Sequence, residues 1–182
     1  EVDCKRLVMT SQNLESGAAK HRQLLAASFH SCVAHRCLMD ILIINLPRHA
    51  ERRAFQTKQL EQLGLAFDWV PATDVRGMDP KLFAQLQNTW ERPMRDVEVA
   101  CYLSHLSAWR IVAERKRPAL ILEDDAYLST DVPAILKALE GQSFDLVTLE
   151  VRGRKKVVGK QSNPLTAAAT LVPLYQDRTG AA

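Results

Sequence analysis

The sequence predicts an α/β protein built around a parallel sheet, and three observations carry that expectation. The runs at 41–46 and 119–122 are short and apolar except for Asn45, the pattern of strands buried on both faces. Strand and helix patterns alternate between 41 and 149, as in βαβ units. Arginines and acids gather immediately after the apolar runs, where open α/β sheets bind ligands.

Taken in order, residues 1–38 stand apart. They hold three of the four cysteines, three of the five histidines and no clear strand, with a helix expected over 14–29. This segment is expected to be an upstream extension, disordered or non-native, and the domain to run from Met39 to the end, 39–182. Ile41 to Leu46 is the first strand and Pro47 ends it. Good helix formers predict a helix over 48–63, with Gly64 as its C-terminal stop. A second strand is expected at 65–70, closed by Pro71. Residues 72–95, with Gly77, Pro80 and Pro93, predict a loop holding a short helix near 80–87. The pattern then gives a long helix over 96–115, the strand at 119–122, a helix over 133–139 stopped near Gly141, and a strand at 144–149. Residues 161–182 end without a stop signal, so the domain is expected to be C-terminally truncated.

Bulk properties exclude several classes. A chain of 182 residues that is 47% hydrophobic and 25% charged suits one soluble domain with a real core. The formal charge of +3 does not call for nucleic acid. No stretch approaches the roughly 18 apolar residues that span a bilayer, and no signal-peptide pattern is visible. A cytoplasmic location is the expectation. Basic clusters at 48–53, 110–117 and 152–160 are compatible with peripheral contact at the inner, anionic face of a membrane. The unevenly spaced cysteines form no disulfide framework, and His30, Cys32, His35 and Cys37 match no common zinc spacing.

Three groups of residues could carry chemistry. The first is Glu123-Asp124-Asp125 at the end of the apolar strand. Adjacent carboxylates repel unless positive charge sits among them, and a hard divalent cation holding a phosphate would supply it. Alternation along the strand puts Glu123 and Asp125 on one side, where Asp125 could bind a metal directly and Glu123 could orient a metal-bound water or a ribose. The plain alternative is a set of solvated turn acids. The second group lies on the helix at 96–115, where Glu98, Cys101, His105 and Trp109 share a face bordered by Ser104. Cys101 and His105 alone make an incomplete metal set, because zinc takes three or four ligands and no partner pair is evident. Cys101 therefore reads as a small buried residue, while Ser104 and His105 are candidates for the site. The third group is Asn45, inside an apolar strand and needing a hydrogen-bond partner, with Arg48, Arg52 and Arg53 after it. Guanidinium groups beside a helix start can grip phosphate, although any one of them could be an ordinary surface arginine. Glu150 ends the last predicted strand and could supply a ligand or a base, but nothing local favours that over a surface acid at a strand end.

In this order and spacing, the segments IINLPRHAERR at 43–53, LEQLG at 60–64 with VPA at 70–72, EVACYLSHLSAW at 98–109 and ALILEDDA at 119–126 resemble glycosyltransferase family 25. That family comprises the bacterial lipooligosaccharide galactosyltransferases and their collagen-modifying relatives, and the likeness covers about 40–182. The resemblance implies a Rossmann-like sheet of GT-A type that binds a nucleotide sugar. It implies an inverting, metal-assisted transfer of galactose from UDP-galactose to a lipooligosaccharide or other glycan or glycolipid acceptor. Mn²⁺, or Mg²⁺, would be held by Asp125 and Glu123, and the donor by Asn45, Arg48, Arg52, Ser104, His105, Glu123 and Asp124. It assigns no catalytic base. A non-catalytic module that only binds the nucleotide sugar is the alternative. A phosphohydrolase with an aspartyl nucleophile fits less well, because Ala126, Tyr127 and Leu128 follow Asp125 where a second aspartate would stand.

Overall fold

The structure is a computed structural model and describes residues 6–11, 39–149 and 156–177. The chain divides into two compact units, one of Glu1–Cys37 with Gly141–Thr179 and one of Leu38–Glu140 with Gly180–Ala182. In chain order the strands begin with β1 (Arg6–Ser11), which belongs to the first unit.

The second unit opens with β2 (Asp40–Asn45), followed by α1 (Ala50–Gln62) and β3 (Asp68–Pro71). A single 3₁₀ turn at Val75–Gly77 and α2 (Pro80–Leu86) lead to α3 (Asp96–Arg115), β4 (Ala119–Glu123) and α4 (Val132–Leu139). Its sheet is three-stranded and wholly parallel, in the order β3-β2-β4. The chain therefore leaves β2 for one neighbour and later returns to pair with its other side. Because such crossovers are right-handed, α1 and α3 cover opposite faces. The alternation of the apolar run serves both faces at once. Leu42 and Ile44 pack with Val70 and Ala108 of α3, while Ile41 and Ile43, pointing the other way, are also buried.

Local chemistry sets the ends of these elements. Gly64 has φ +67° and Gly141 φ +74°, so each chain reversal sits where a side chain is disfavoured. Asp79 caps α2 by accepting from the Lys81 N–H at 2.9 Å, with Pro80 in the first turn. At the start of α3, Glu98 accepts from the Arg95 backbone N–H at 2.8 Å and pairs with Arg92 at 2.6 Å. Arg92 foremost, then that backbone N–H, hold the Glu98 carboxyl down at about 2.

The first unit departs from the sequence expectation. Its sheet runs β5 (Leu146–Thr148), β1, β8 (Ala169–Asp177), β6 (Lys156–Val158), with β7 (Asn163–Pro164) also on β8. Only β1–β5 is parallel, and β8 pairs antiparallel with β1, β6 and β7. One expectation is thereby corrected: a strand does exist before residue 38. The expected parallel sheet is the β3-β2-β4 sheet, and this one is mixed. Arg6–Ser11 is a short run whose partners lie more than a hundred residues away, so local periodicity gives it no signal. The strands expected at 65–70 and 144–149 are observed as Asp68–Pro71 and Leu146–Thr148; the Leu65 N–H still donates to the Leu60 carbonyl at 3.0 Å, closing the turn out of α1. The expected helix at 14–29 and Glu150 lie outside the described residues.

Candidate functional site

The parallel register pairs Ile44 with Glu123, which brings the next residues, Asn45 and Asp124, side by side where the two strands end. This is the point where the chain switches from one side of β2 to the other, the usual ligand-binding place of such a sheet. Asn45 Nδ2 donates to Asp124 Oδ2 at 2.8 Å, and Arg52 Nη1 of α1 donates to Asp124 Oδ1 at 2.8 Å. His49 Nδ1 stands 3.9 Å from the same carboxylate. Asp124 is 8% exposed, so these contacts neutralise a charge that burial would otherwise make costly. They also fix the Asn45 amide, since the reversed orientation would set its oxygen against a carboxylate. Asn45 Oδ1 is left buried and without a hydrogen-bond partner among the described residues.

The neighbouring acids lie differently. Glu123 and Asp125 are each about half exposed. Arg52 Nη1 is 3.7 Å from Asp125 Oδ2, and Asp124 foremost, with Asp125 and Glu123 behind it, holds the Arg52 guanidinium more firmly protonated. Glu123 Oε1 is 3.2 Å from His105 Nε2 on α3. Hydrogen bonds to Cys101 and to Glu123 push the His105 pKa up to about 9 against its partial burial. Arg52 and His105 thus supply positive charge on either side of the acidic triplet. The half-exposed oxygens of Glu123 and Asp125 are hard donors, the kind that Mn²⁺ or Mg²⁺ takes while keeping water or phosphate oxygens. In donor chemistry they suit such an ion, although Asp125 faces Arg52 and Glu123 faces His105.

A cavity of about 230 Å³ opens beside this cluster. Its charged and polar wall includes Arg48, Ser104, His105, Glu123 and Asp124, and its apolar wall includes Ile44, Ala72, Val75 and Val97. Six of the eight sequence-predicted residues are therefore gathered here, five in the wall and Asn45 bonded to it; Arg52 reaches it through Asp124. Asp125 is not part of the wall and faces Arg52. Ser104 is 3% exposed and fully used: its Oγ accepts from the Thr73 N–H at 2.9 Å and donates to the Ala100 carbonyl at 2.7 Å. It fixes the loop after β3 rather than presenting a free hydroxyl. Arg48 is ion-paired with Asp74 of that same loop.

Gln56 and Gln59 extend the site in a way that residue type alone does not announce. Both donate to the Ala126 carbonyl, at 2.7 and 3.1 Å, and Gln59 Oε1 accepts from the Leu128 N–H at 2.9 Å. Together they pin the turn that follows the acids. Their spacing with Arg52, one and two helical turns on, marks an inward face of α1 and was the available signal.

The family profile described as Glycosyltransferase family 25 (LPS biosynthesis protein) matches residues 39–171. The chain belongs to glycosyltransferase family 25. A glycosyltransferase 25 family member of Aedes aegypti is 32% identical over 149 residues, covering 72% of this chain and 24% of that protein. A putative glycosyltransferase of Haemophilus influenzae is 23% identical over 158 residues, covering 85% of this chain and 56% of its own. Procollagen galactosyltransferase 1-A of Xenopus laevis is 23% identical over 147 residues, covering 73% and 24%. This chain thus spans about a quarter of the length of the animal family 25 proteins it matches. Among the described residues no helix is long and apolar enough to cross a membrane.

Proposed function

We propose that this family 25 chain binds a nucleotide-sugar donor in the cavity at the ends of β2 and β4 and serves as a glycosyltransferase of GT-A type. The single observation that carries the reading is the meeting of Arg48, His105, Glu123 and Asp124 around one cavity at the switch point of a parallel sheet. The domain is taken as 39–182, in line with the family match beginning at Met39.

Arg48 and His105 present cationic donors to the diphosphate, and a phosphate entering beside Arg48 competes with Asp74 for its guanidinium. The apolar wall shields the base and ribose from water. Asp124 does not touch the donor in this account. Clamped by Asn45 and Arg52, it holds Glu123 and Asp125 to either side at a fixed position. Asp125, with Glu123, would hold Mn²⁺ or Mg²⁺, which supplies Lewis-acid stabilisation of the departing diphosphate. Transfer with inversion needs a base at the acceptor hydroxyl, and none of the residues named here is given that role.

Galactose is the proposed sugar and UDP the proposed carrier, supported by the Xenopus relative's name; a lipooligosaccharide or other surface glycan is the proposed acceptor, supported by the family's description. The basic clusters support work at the inner face of a membrane, from the cytoplasm. Calorimetry with UDP-galactose tests the reading. Binding is expected with Mn²⁺, at least about tenfold weaker without it, and similarly weakened by Asp125→Ala. Binding that ignores both the ion and that substitution overturns it. Donor binding without transfer to any glycan acceptor would leave only the binding role.

A further inference from the structure

The sequence left Cys101 and His105 as two metal donors without a third, and the fold supplies it. Cys101 and His105 are one helical turn apart on α3, and Glu123 reaches them from the end of β4. The Cys101 sulfur, a His105 ring nitrogen and a Glu123 oxygen all lie within 4.8 Å of one another. Among the described residues this is the one group of three histidine, cysteine or acidic donors close enough to share an ion. We propose that Cys101, His105 and Glu123 form a site for a borderline divalent cation, Zn²⁺, distinct from the hard-cation position at Asp125.

The chemistry of the donors sets the choice of ion. Thiolate and imidazole favour zinc and cobalt, whereas Mn²⁺ and Mg²⁺ favour carboxylate, carbonyl and water oxygens. Three protein ligands leave a fourth tetrahedral position for water or a ligand, and all three residues line the cavity. A helix and a strand end, packed on the same sheet, carry the ligands, so little has to be ordered when the ion enters. Glu123 belongs to both positions, so zinc bound here draws away a carboxylate that Mn²⁺ would use. Zinc is therefore expected to oppose Mn²⁺-dependent donor binding, a consequence that rests on the proposed function, whereas the zinc site itself does not.

Cobalt substitution tests the site without any turnover. Adding Co²⁺ to the full chain is expected to produce a thiolate-to-cobalt charge-transfer band with the visible absorption of tetrahedral cobalt, both displaced by Zn²⁺. Cys101→Ser should abolish the band, His105→Gln should weaken Co²⁺ at least about tenfold, and Asp125→Ala should leave the band in place. Circular dichroism establishes that each variant is folded, and a Zn²⁺-dependent rise in melting temperature present in the parent and lost in His105→Gln gives a second reading. No band in the parent overturns the proposal. So does a band that survives Cys101→Ser, which would assign the ion to Cys4, Cys32 or Cys37. Loss of Mn²⁺-dependent UDP-galactose binding in Asp125→Ala with the cobalt band intact separates the fate of this site from that of the donor site.

Discussion

Two side chains decide whether the acidic strand end is usable. Asn45 gives Asp124 one of its two short hydrogen bonds, and a bond to a buried charged group contributes about 1.5–3 kcal/mol. Asn45→Ala is therefore expected to lower stability by about 2 kcal/mol in urea denaturation, and an unchanged midpoint would mean that Arg52 alone satisfies the carboxylate. His105 is the second. Its folded pKa is raised to about 9 by Cys101 and Glu123, from an unfolded value of about 6.5. The stability it contributes is complete below that unfolded value and is lost as pH rises through about 9. NMR titration of the metal-free protein should find His105 still protonated at neutral pH, and Glu123→Gln should bring its midpoint down. A midpoint near 6.5 in the parent chain would remove the imidazolium from the account. Neither contact can be read from the chain directly, because the partners are 79 and 18 residues apart and only the β2–β4 register brings the strand-end acids into place. Residue types were legible here and pairings were not: Asn45 announced a need for a partner, and the three acids announced a need for positive charge. The protein meets part of that need itself, with Arg52 and His105.

At the scale of elements, the signals that proved legible are those written within one turn or one strand. The unbroken apolar run fixes β2, and the i, i+3, i+7 face of Glu98, Cys101 and His105 fixes α3, whose bounds Asp96–Arg115 coincide with the expected 96–115. Gly64 ends α1 with φ +67°, and a Cβ built there meets nothing within 4 Å. Gly64→Ala should therefore cost only the left-handed backbone penalty, about 1 kcal/mol, with no packing loss. Lys116 carries the same burden at the end of α3, at φ 52°. Lys116→Gly is expected to be neutral or stabilising, the opposite sign, and matched urea denaturation of the two variants checks the pair. If both lose stability equally, the left-handed backbone is not what the two sites share.

For the whole molecule, the family match and the pairing of strands draw different boundaries. The profile begins at Met39, where the apolar texture begins, yet β1 lies before it as an inner strand between β5 and β8. The register runs from Leu7 opposite Pro173 to Ser11 opposite Ala169, so the longest strand of the first unit takes one of its three partners from residues that local patterning dismissed. A chain starting at Met39 therefore keeps every strand of the β3-β2-β4 sheet and every residue assigned to the donor site, while β8 and β5 lose their common partner. Hydrogen exchange should divide accordingly. Amides of Leu42, Ile43 and Leu122 are expected to keep their protection in the shortened chain, while those of Leu171 and Val172 are expected to exchange faster as β8 gains an open edge. Unchanged protection at 169–173 would mean that Arg6–Ser11 contributes nothing to that sheet, and the boundary at Met39 would then be structural as well as evolutionary. Loss of protection in β2 would mean instead that the parallel sheet depends on the residues before it.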